Sequence, residues 1–551
     1  MRPTTNPARP LAELADRLDA TASPYRRPRG SVTGVTHDSR AVQPGDLYVA
    51  LPGARFHGAD FAPAAVQAGA AAILTDPAGR NRAVAAARAL TGDATGVAAD
   101  ETGIEVLVVD EPRERLGEIA AWVYGDPVSG LELIGVTGTS GKTTVAYLVE
   151  AGLRAAGHTT GLVGTVETRV AGERVPSSLT TPEATDLHGL FATMRERAVT
   201  AAAMEVSSHA LALGRVGGAR YDVAIFTNLS RDHLDFHPTM QDYFATKARL
   251  FTPAYSRVGV VNLDDLYGRA LIDVATVPVT TYSAEGDPAA DWRALDVRLG
   301  ADGTAFRVVG PLGIEADASV RMPGPFNVAN ALAAIVGLVE AGEGLQDAVA
   351  GVGACPGVPG RLERVDAGQA FTALVDYSHK PGAVEAVLSA LRPVTTERLI
   401  VVLGCGGDRD REKRPLMGEA AARLADMVIF TDDNPRSEDP LAILSAMLDG
   451  VLEVPAGERA AITVEPDRAT AIDLAVGRAG PGDVLVVAGK GHEQGQYVGG
   501  EVLPFDDRVQ VCAAVERRAA APPPRDTGAG SGGGVEFVAG NGRAAGGEPL
   551  T

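Results

Sequence analysis

The 551-residue chain has only three cysteines, Cys355, Cys405 and Cys512. Far apart and odd in number, they make neither a disulfide framework nor a zinc-ligand spacing, and a reducing cytoplasm is the compartment they imply. Positive charge is also in deficit, with 50 Lys and Arg against 70 Asp and Glu and a formal net charge of −20. Nucleic acid, which is bound through basic surfaces, is therefore not an expected partner. Any phosphorylated ligand has to meet local cations or helix N-termini instead. No run of 18 apolar residues occurs, and the opening MRPTTNPARPLAELADRL has no apolar signal core, so no membrane association is expected.

What is present is an alternation of buried-type strands and helical segments, at a length that suits about three domains of ~150 residues. Residues 1–130 carry short strand-like runs at Asp46 to Ala50, Ala71 to Thr75 and Val106 to Val109, which predicts a small α/β domain. Residues 131–359 repeat the alternation, with strands at Leu133 to Thr137, Ala202 to Val206, Val223 to Thr227 and Val258 to Asn262. That pattern predicts a mostly parallel sheet covered on both faces. A second doubly wound unit is predicted over residues 360–519, with strands at Phe371 to Asp376, Leu399 to Gly404, Met427 to Thr431 and Val484 to Ala488. Residues 520–551, starting APPPRDTGAGSGGG after Ala520, are too poor in large apolar side chains to offset ordering entropy, and a disordered tail is expected.

Three patches carry chemistry, each at the C-terminal end of a predicted strand, the edge on which open α/β sheets bind ligands. The first, LELIGVTGTSGKTT from Leu131 to Thr144, reads as a phosphate-binding loop. The N–H groups of Gly138, Thr139, Ser140 and Gly141 would cradle phosphates at a helix N-terminus, Lys142 would reach the β and γ oxygens, and the Thr143 hydroxyl, followed by Thr144, would hold Mg²⁺. The usual pattern has glycine where this chain has Val136. The second patch, Met204 to His209, offers Glu205 as a further Mg²⁺ ligand, although Ser207 and Ser208 also suit a simple helix cap. The third, Thr227 to His237, packs histidines, aspartates and an arginine into what is either a metal or phosphate contact or a solvated turn.

These motifs, in this order, resemble the Mur ligases, ATP-dependent enzymes that add amino acids to the UDP-MurNAc peptide of cell-wall precursors. The resemblance rests on Thr-Gly-Thr-Ser-Gly-Lys-Thr-Thr at 137–144, Leu-Thr-Thr-Pro at 179–182, Glu-Val-Ser-Ser-His-Ala-Leu at 205–211 and Asn-Leu-Ser-Arg-Asp-His-Leu-Asp at 228–235. It continues through Phe-Asn-Val-Ala-Asn at 326–330, Pro-Gly-Arg-Leu-Glu at 359–363, Gly-Cys-Gly-Gly-Asp-Arg-Asp at 404–410, Asp-Asp-Asn-Pro-Arg at 432–436 and Gly-Lys-Gly-His-Glu at 489–493. It implies a three-domain α/β architecture: an N-terminal UDP-binding domain, a central P-loop domain and a C-terminal Rossmann-like domain. Among Mur ligases the motifs are most similar to those of the members that add diaminopimelate to UDP-MurNAc-L-Ala-D-Glu through an acyl phosphate.

Residue by residue, the resemblance implies Lys142, Glu205, His233 and Lys247 as catalytic groups, with Thr143, Glu205, His233 and a carbamylated Lys247 as metal ligands. Without it, Lys247 reads as a solvated helical lysine. Asn327, Asn330, Arg361 and Asp376 fall on ATP contacts. Ser39, Thr180, Thr181, Ser207 and Arg215 fall on contacts to the UDP-MurNAc-dipeptide, with His57 and Gly58 nearby. Arg409, Asp433, Asn434, Pro435, Arg436, Gly489 and Glu493 fall on the diaminopimelate site. Arg436 suits the distal carboxylate and Glu493 the distal ammonium, so lysine, lacking that carboxylate, should be rejected. Leu213 stands where the family often has glutamine, and Lys380 where it has threonine. A cytoplasmic monomer is expected, and a lysine-adding relative, a folylpolyglutamate synthetase and a silent ATP binder are the competing readings.

Overall fold

The computed structural model describes residues 1–23, 28–89, 104–177, 179–300, 302–520 and 536–537. Of the tail expected to be disordered, residues 520–551, Ala520 instead ends a helix from Asp507 and Glu536–Phe537 form a two-residue strand paired with Thr463 and Val464; the rest falls outside the described residues. Contacts divide the chain into two compact units, one of Met1–Leu295, Arg307–Ala318 and Ala329–Cys355, the other of Asp296–Phe306, Ser319–Val328 and Pro356–Thr551.

The first unit begins with a parallel sheet of β1 (Gly34–Thr36), β2 (Asp46–Ala50), β3 (Ala72–Thr75) and β4 (Glu105–Val108), paired in that order. Every residue of β2 and β3 is buried, as unbroken apolar runs in a covered parallel sheet should be. Helix α1 (Pro112–Val123) follows. Its Gly117 sits so close to Gly217 that a Cβ there would come within 2.2 Å of the Gly217 carbonyl oxygen, so only glycine permits this contact.

A second parallel sheet is built from β5 (Glu132–Thr137), β6 (Thr160–Val163), β7 (Ala201–Glu205), β8 (Tyr221–Phe226), β9 (Ser256–Asn262) and β10 (Val279–Ser283). Its spatial order is β6-β7-β5-β8-β9-β10. Because β5 is flanked by β7 on one side and β8 on the other, the chain reverses its direction of winding there, which opens a crevice at the strand ends. Helix α2 (Lys142–Ala155) starts at that crevice, α3 (Ser208–Ala212) follows β7, and α4 (Met240–Ala248) follows β8.

Helix α5 (Pro325–Ala341) runs across the boundary between the units. The second unit then carries a parallel sheet of β11 (Thr372–Asp376), β12 (Leu399–Leu403), β13 (Met427–Phe430), β14 (Ala461–Val464) and β15 (Val484–Ala488) in the order β11-β15-β12-β13-β14. Apolar clusters cover both faces, one around Leu374, Val401 and Phe430, the other around Val375, Val402 and Ile472. Helix α6 (Pro381–Leu391) follows β11.

Candidate functional site

The loop after β5 turns through Gly138 (φ +148°) and Gly141 (φ +87°) before α2 begins at Lys142. Both glycines are required by their neighbours. A Cβ at Gly138 would lie 1.9 Å from Thr227 Oγ1, and one at Gly141 would lie 2.5 Å from Asn330 Oδ1. The strand end of β8 holds the loop in shape: Thr139 N–H donates to the Asn228 carbonyl (2.9 Å), Ser140 N–H to Asn228 Oδ1 (3.0 Å), and Thr227 Oγ1 to the Ser140 carbonyl (2.7 Å). Val136, where the usual pattern has glycine, is a fully buried residue of β5 in register with Glu205 and Ile225. The turn therefore starts two residues later, at Gly138, and needs no glycine at 136.

Lys142 curls over this loop, its Nζ donating to the carbonyls of Gly138 (2.9 Å) and Thr139 (3.0 Å). Lys247 corrects the solvated reading of that residue: it is 1% exposed, and its Nζ donates to the Gly138 carbonyl at 2.8 Å and lies 4.9 Å from the Tyr243 ring centroid. Two lysines thus converge on one carbonyl of the phosphate loop. Tyr243, which sequence reading missed, bonds Thr139 Oγ1 through its hydroxyl at 3.1 Å.

His233 takes a left-handed conformation (φ +53°), with Nε2 3.3 Å from Asp232 Oδ2 and its ring 4.9 Å from that of His209. Desolvation holds the His209 imidazole below its ordinary pKa, and the same cause acts on His237, whose Nε2 pairs with Ser208 Oγ at 2.9 Å.

Glu205 is 1% exposed, and Thr165 holds its carboxylate from the backbone N–H (2.7 Å) and the hydroxyl (3.1 Å). Thr165 also meets Thr180, hydroxyl to hydroxyl, at 3.0 Å. Thr181 donates to the Glu205 carbonyl (2.9 Å) and accepts from Ser207 N–H (3.1 Å). Arg215 Nε pairs with Glu183 at 2.8 Å, and its Nη1 reaches the Thr181 carbonyl at 3.4 Å. One network therefore joins Thr180, Thr181, Glu205, Ser207 and Arg215. A cleft of about 460 Å³ opens beside its Thr165 and Thr180 end. Ser207 also caps α3 by accepting from Ala210 N–H, so the simple helix-cap reading holds alongside any ligand contact. Leu213 closes α3 with an apolar side chain and offers the hydrogen bond of a glutamine to nothing.

At the end of the first sheet, Ser39 opens a short turn and His57 caps the Gly58–Phe61 turn while holding Asp76 at 2.8 Å. Tyr48 connects the two turns: its hydroxyl donates to the Gly58 carbonyl at 2.8 Å and sits beside Ser39, and burial pushes it up to about 12.

In the second unit, Asp376 at the end of β11 is 5% exposed and turned inward. Its Oδ2 accepts from Leu362 N–H (2.8 Å), and its Oδ1 accepts from Ser378 N–H (2.8 Å) and from the Ser378 hydroxyl. Arg361 stacks its guanidinium 4.5 Å from the Tyr377 ring centroid. Asn327 donates to the Pro323 carbonyl at 2.8 Å, tying the start of α5 to the preceding loop. Lys380 stands at the N-cap of α6, where a threonine would bring a capping oxygen and lysine brings none.

The ends of β12, β13 and β15 bring together the remaining predicted residues. Asn434 Nδ2 donates to Glu493 Oε2 at 2.9 Å. Arg436, in a left-handed conformation (φ +56°), donates to the Gly407 carbonyl at 2.7 Å and lies 6.0 Å from the Tyr497 ring centroid. Gly407 allows this approach, since a Cβ there would meet the Pro435 carbonyl at 1.9 Å. Gly489 (φ +112°) faces Asp433, 3.6 Å away from its would-be Cβ. Arg409 is exposed and contacts only the neighbouring Asp408 carbonyl at 3.1 Å among the hydrogen bonds described. Asp432, next in the same turn, is lifted to about 7 by burial.

For a metal, the donors at the first unit's edge are oxygen-rich, with the Thr143 hydroxyl at the first turn of α2 and the Glu205 carboxylate at the end of the adjacent strand. That is the set a hard divalent cation takes. Among the described residues, no helix is long and apolar enough to cross a membrane.

Comparison with known proteins covers most of the same ground. Family models match for the Mur ligase catalytic domain over residues 31–124, the Mur ligase middle domain over 136–338 and the Mur ligase glutamate ligase domain over 360–491. The chain is 60% identical over 518 residues to the UDP-N-acetylmuramoyl-L-alanyl-D-glutamate--2,6-diaminopimelate ligase of Streptomyces coelicolor, covering 94% of this chain and 98% of that one. Its identity to the like-named protein of Streptomyces avermitilis is 58% over 516 residues, covering 94% and 98%. A solved structure of a UDP-N-acetylmuramoyl-L-alanyl-D-glutamate--2,6-diaminopimelate ligase superposes with a TM-score of 0.64 at 33% identity, over 90% of this chain and 96% of that one. With phosphate loop, strand-end carboxylate and C-terminal turn all inside the matched segments, the chain belongs to the Mur ligase family.

Proposed function

We infer that this chain is the ATP-dependent ligase that adds diaminopimelate to UDP-MurNAc-L-Ala-D-Glu in peptidoglycan precursor synthesis. It works as a cytoplasmic monomer through three domains, residues 1–130, 131–359 and 360–519. The observation that carries the amino acid assignment is the rim on which Asn434 bonds Glu493 while Arg436, in the same turn, rests its guanidinium on the Gly407 carbonyl. A carboxylate and a guanidinium so placed suit the ammonium and carboxylate of a second amino acid centre, which lysine has only in part.

Amide formation from a carboxylate at neutral pH needs a leaving group. The D-glutamyl carboxylate attacks the γ-phosphorus of ATP, the bond to the ADP oxygen breaks, and an acyl phosphate forms. The diaminopimelate amine then attacks the acyl carbon, a C–N bond forms, phosphate departs and the amine proton passes to solvent. Backbone N–H groups from Gly138 to Gly141 and the Lys142 ammonium would hold the phosphates in line, with the Thr139 and Ser140 N–H groups first leaving the Asn228 carbonyl and amide oxygen that they bond in this structure. Lys142 would leave the Gly138 and Thr139 carbonyls to do so. Thr143 and Glu205 would hold one Mg²⁺, and His233 with a carbamylated Lys247 a second. When bound, Mg²⁺ supplies positive charge against the phosphoryl and carboxylate oxygens. Asn327, Asn330, Arg361 and Asp376 serve ATP, while Ser39, Thr180, Thr181, Ser207 and Arg215 serve the UDP-MurNAc-dipeptide.

The test is a ligation assay with the D-glutamyl carboxylate labelled with ¹⁸O, offering meso-diaminopimelate, LL-diaminopimelate and lysine separately. Product with one diaminopimelate isomer, and one labelled oxygen in the released phosphate, is the expected result. Product only with lysine overturns the amino acid assignment. Unlabelled phosphate overturns the acyl phosphate route.

A further inference from the structure

The Gly-Lys-Gly-His-Glu segment at 489–493 contributes its first glycine and its glutamate to the amino acid site proposed above, while its lysine has no role there. Lys490 is 0% exposed. An ammonium out of water is costly unless acceptors and anions surround it. Here they are specific. Nζ donates to Asn434 Oδ1 at 2.8 Å, lies 3.5 Å from Asp433 Oδ1 and lies 3.6 Å from Glu493 Oε2. Asp433 Oδ1 is buried and accepts no hydrogen bond among the described residues, and the ammonium 3.5 Å away compensates its charge.

Asn434 is where these contacts converge. Its Oδ1 takes a second donor from Tyr497 N–H at 3.1 Å, and its Nδ2 donates to Glu493 Oε2 at 2.9 Å. Two donors on one end of an amide settle which end is oxygen, and so which end faces Glu493. Without the ammonium, Asp433 and Glu493 would lose the one cation in direct contact with both among the described residues, leaving the Asn434 amide on Glu493 and the more distant charge of buried Arg468 to offset their repulsion.

We propose that Lys490 is a positioning residue for the amino acid site, orienting the Asn434 amide and holding Asp433 and Glu493 at fixed separation so that the incoming amino acid meets a preset rim. The proposal rests on the assignment of Asp433 to Arg436 and Glu493 to that site. Lys490 touches no substrate. Its effect is on affinity and selectivity for the amine, through Asn434 and Glu493.

The test is steady-state kinetics of full-length Lys490→Met and Lys490→Gln against each of the three substrates, with melting measured beside them. Lys490→Met is expected to raise KM for diaminopimelate about tenfold or more. KM for ATP and for the UDP-MurNAc-dipeptide should stay within about twofold, since neither meets this rim. Lys490→Gln, which keeps a donor for Asn434 but no charge, should fall between wild type and Lys490→Met. An unchanged KM for diaminopimelate in Lys490→Met overturns the proposal. Equal losses toward all three substrates, or failure of both variants to fold, make Lys490 a residue of stability alone and overturn it as well. Wild-type ligation of a different amino acid, with that amine's KM shifted by the same variants, would overturn the diaminopimelate assignment and leave the Lys490 proposal standing.

Discussion

The phosphate edge of the first unit and the amino acid rim of the second are built from different materials. At the proposed phosphate edge the groups are mostly backbone: the glycines at 138 and 141 let the chain approach Thr227 and Asn330, and the loop's carbonyl and N–H groups pair with Lys142, Thr227 and Asn228. At the proposed rim the groups are side chains, with buried Lys490, Asp433 and Asn434 beside Glu493 and Arg436. A backbone cradle suits a phosphate chain common to many substrates, whereas a side-chain rim can be tuned to one amino acid. The two regions should therefore fail in different ways.

The largest effect is expected at the phosphate edge, where Lys142→Met should lower kcat by about 10²–10³-fold or more toward every amine alike. Single-turnover phosphate release checks it, and a loss confined to the KM for diaminopimelate would blur the comparison. Next, Arg436→Met should raise KM for diaminopimelate by about 10–100-fold while leaving lysine little affected. Competition between the two amines, read by product mass, measures this directly. Gly138→Ala should raise KM for ATP about tenfold with amine selectivity unchanged, because its Cβ would force the loop off Thr227 Oγ1 and the Asn228 backbone.

The smallest effect concerns pH. Asp432 is lifted from an ordinary 3.8 to about 7, chiefly by burial. A raised carboxyl is at its most favourable below its unfolded value, and its contribution is lost as pH rises through about 7. Asp432→Asn should accordingly melt like the wild type at pH 4 and above it at pH 8. A pH-independent difference in melting would mean that Asp432 does not titrate in this range.

Much of this was legible in the sequence because parallel strands buried on both faces leave continuous apolar runs. Asp46–Ala50 and Val484–Ala488 match their expected limits, and the strand before the phosphate loop begins one residue early, at Glu132. The strand-end patch singled out Glu205 and the family resemblance Thr180, Thr181, Ser207 and Arg215, which the structure gathers into one network. Long-range contact was not legible. Nothing local to Lys247 says that its amine is buried against a carbonyl more than a hundred residues earlier, and nothing near Thr165 says that it holds Glu205. The sequence places Asp376 and His57 at or near ligand sites, and the structure engages both with their own turns. Short polar side chains at strand ends serve either purpose, and only their partners distinguish the two.

The measurement that bears most directly on the central claim is the ratio of kcat/KM for diaminopimelate to that for lysine, in the wild type and in Arg436→Met. A ratio of about 10⁴ in the wild type, falling by about 10–100-fold in the variant, is the predicted result. A wild-type ratio near one, or a ratio that Arg436→Met leaves unchanged, would contradict the account.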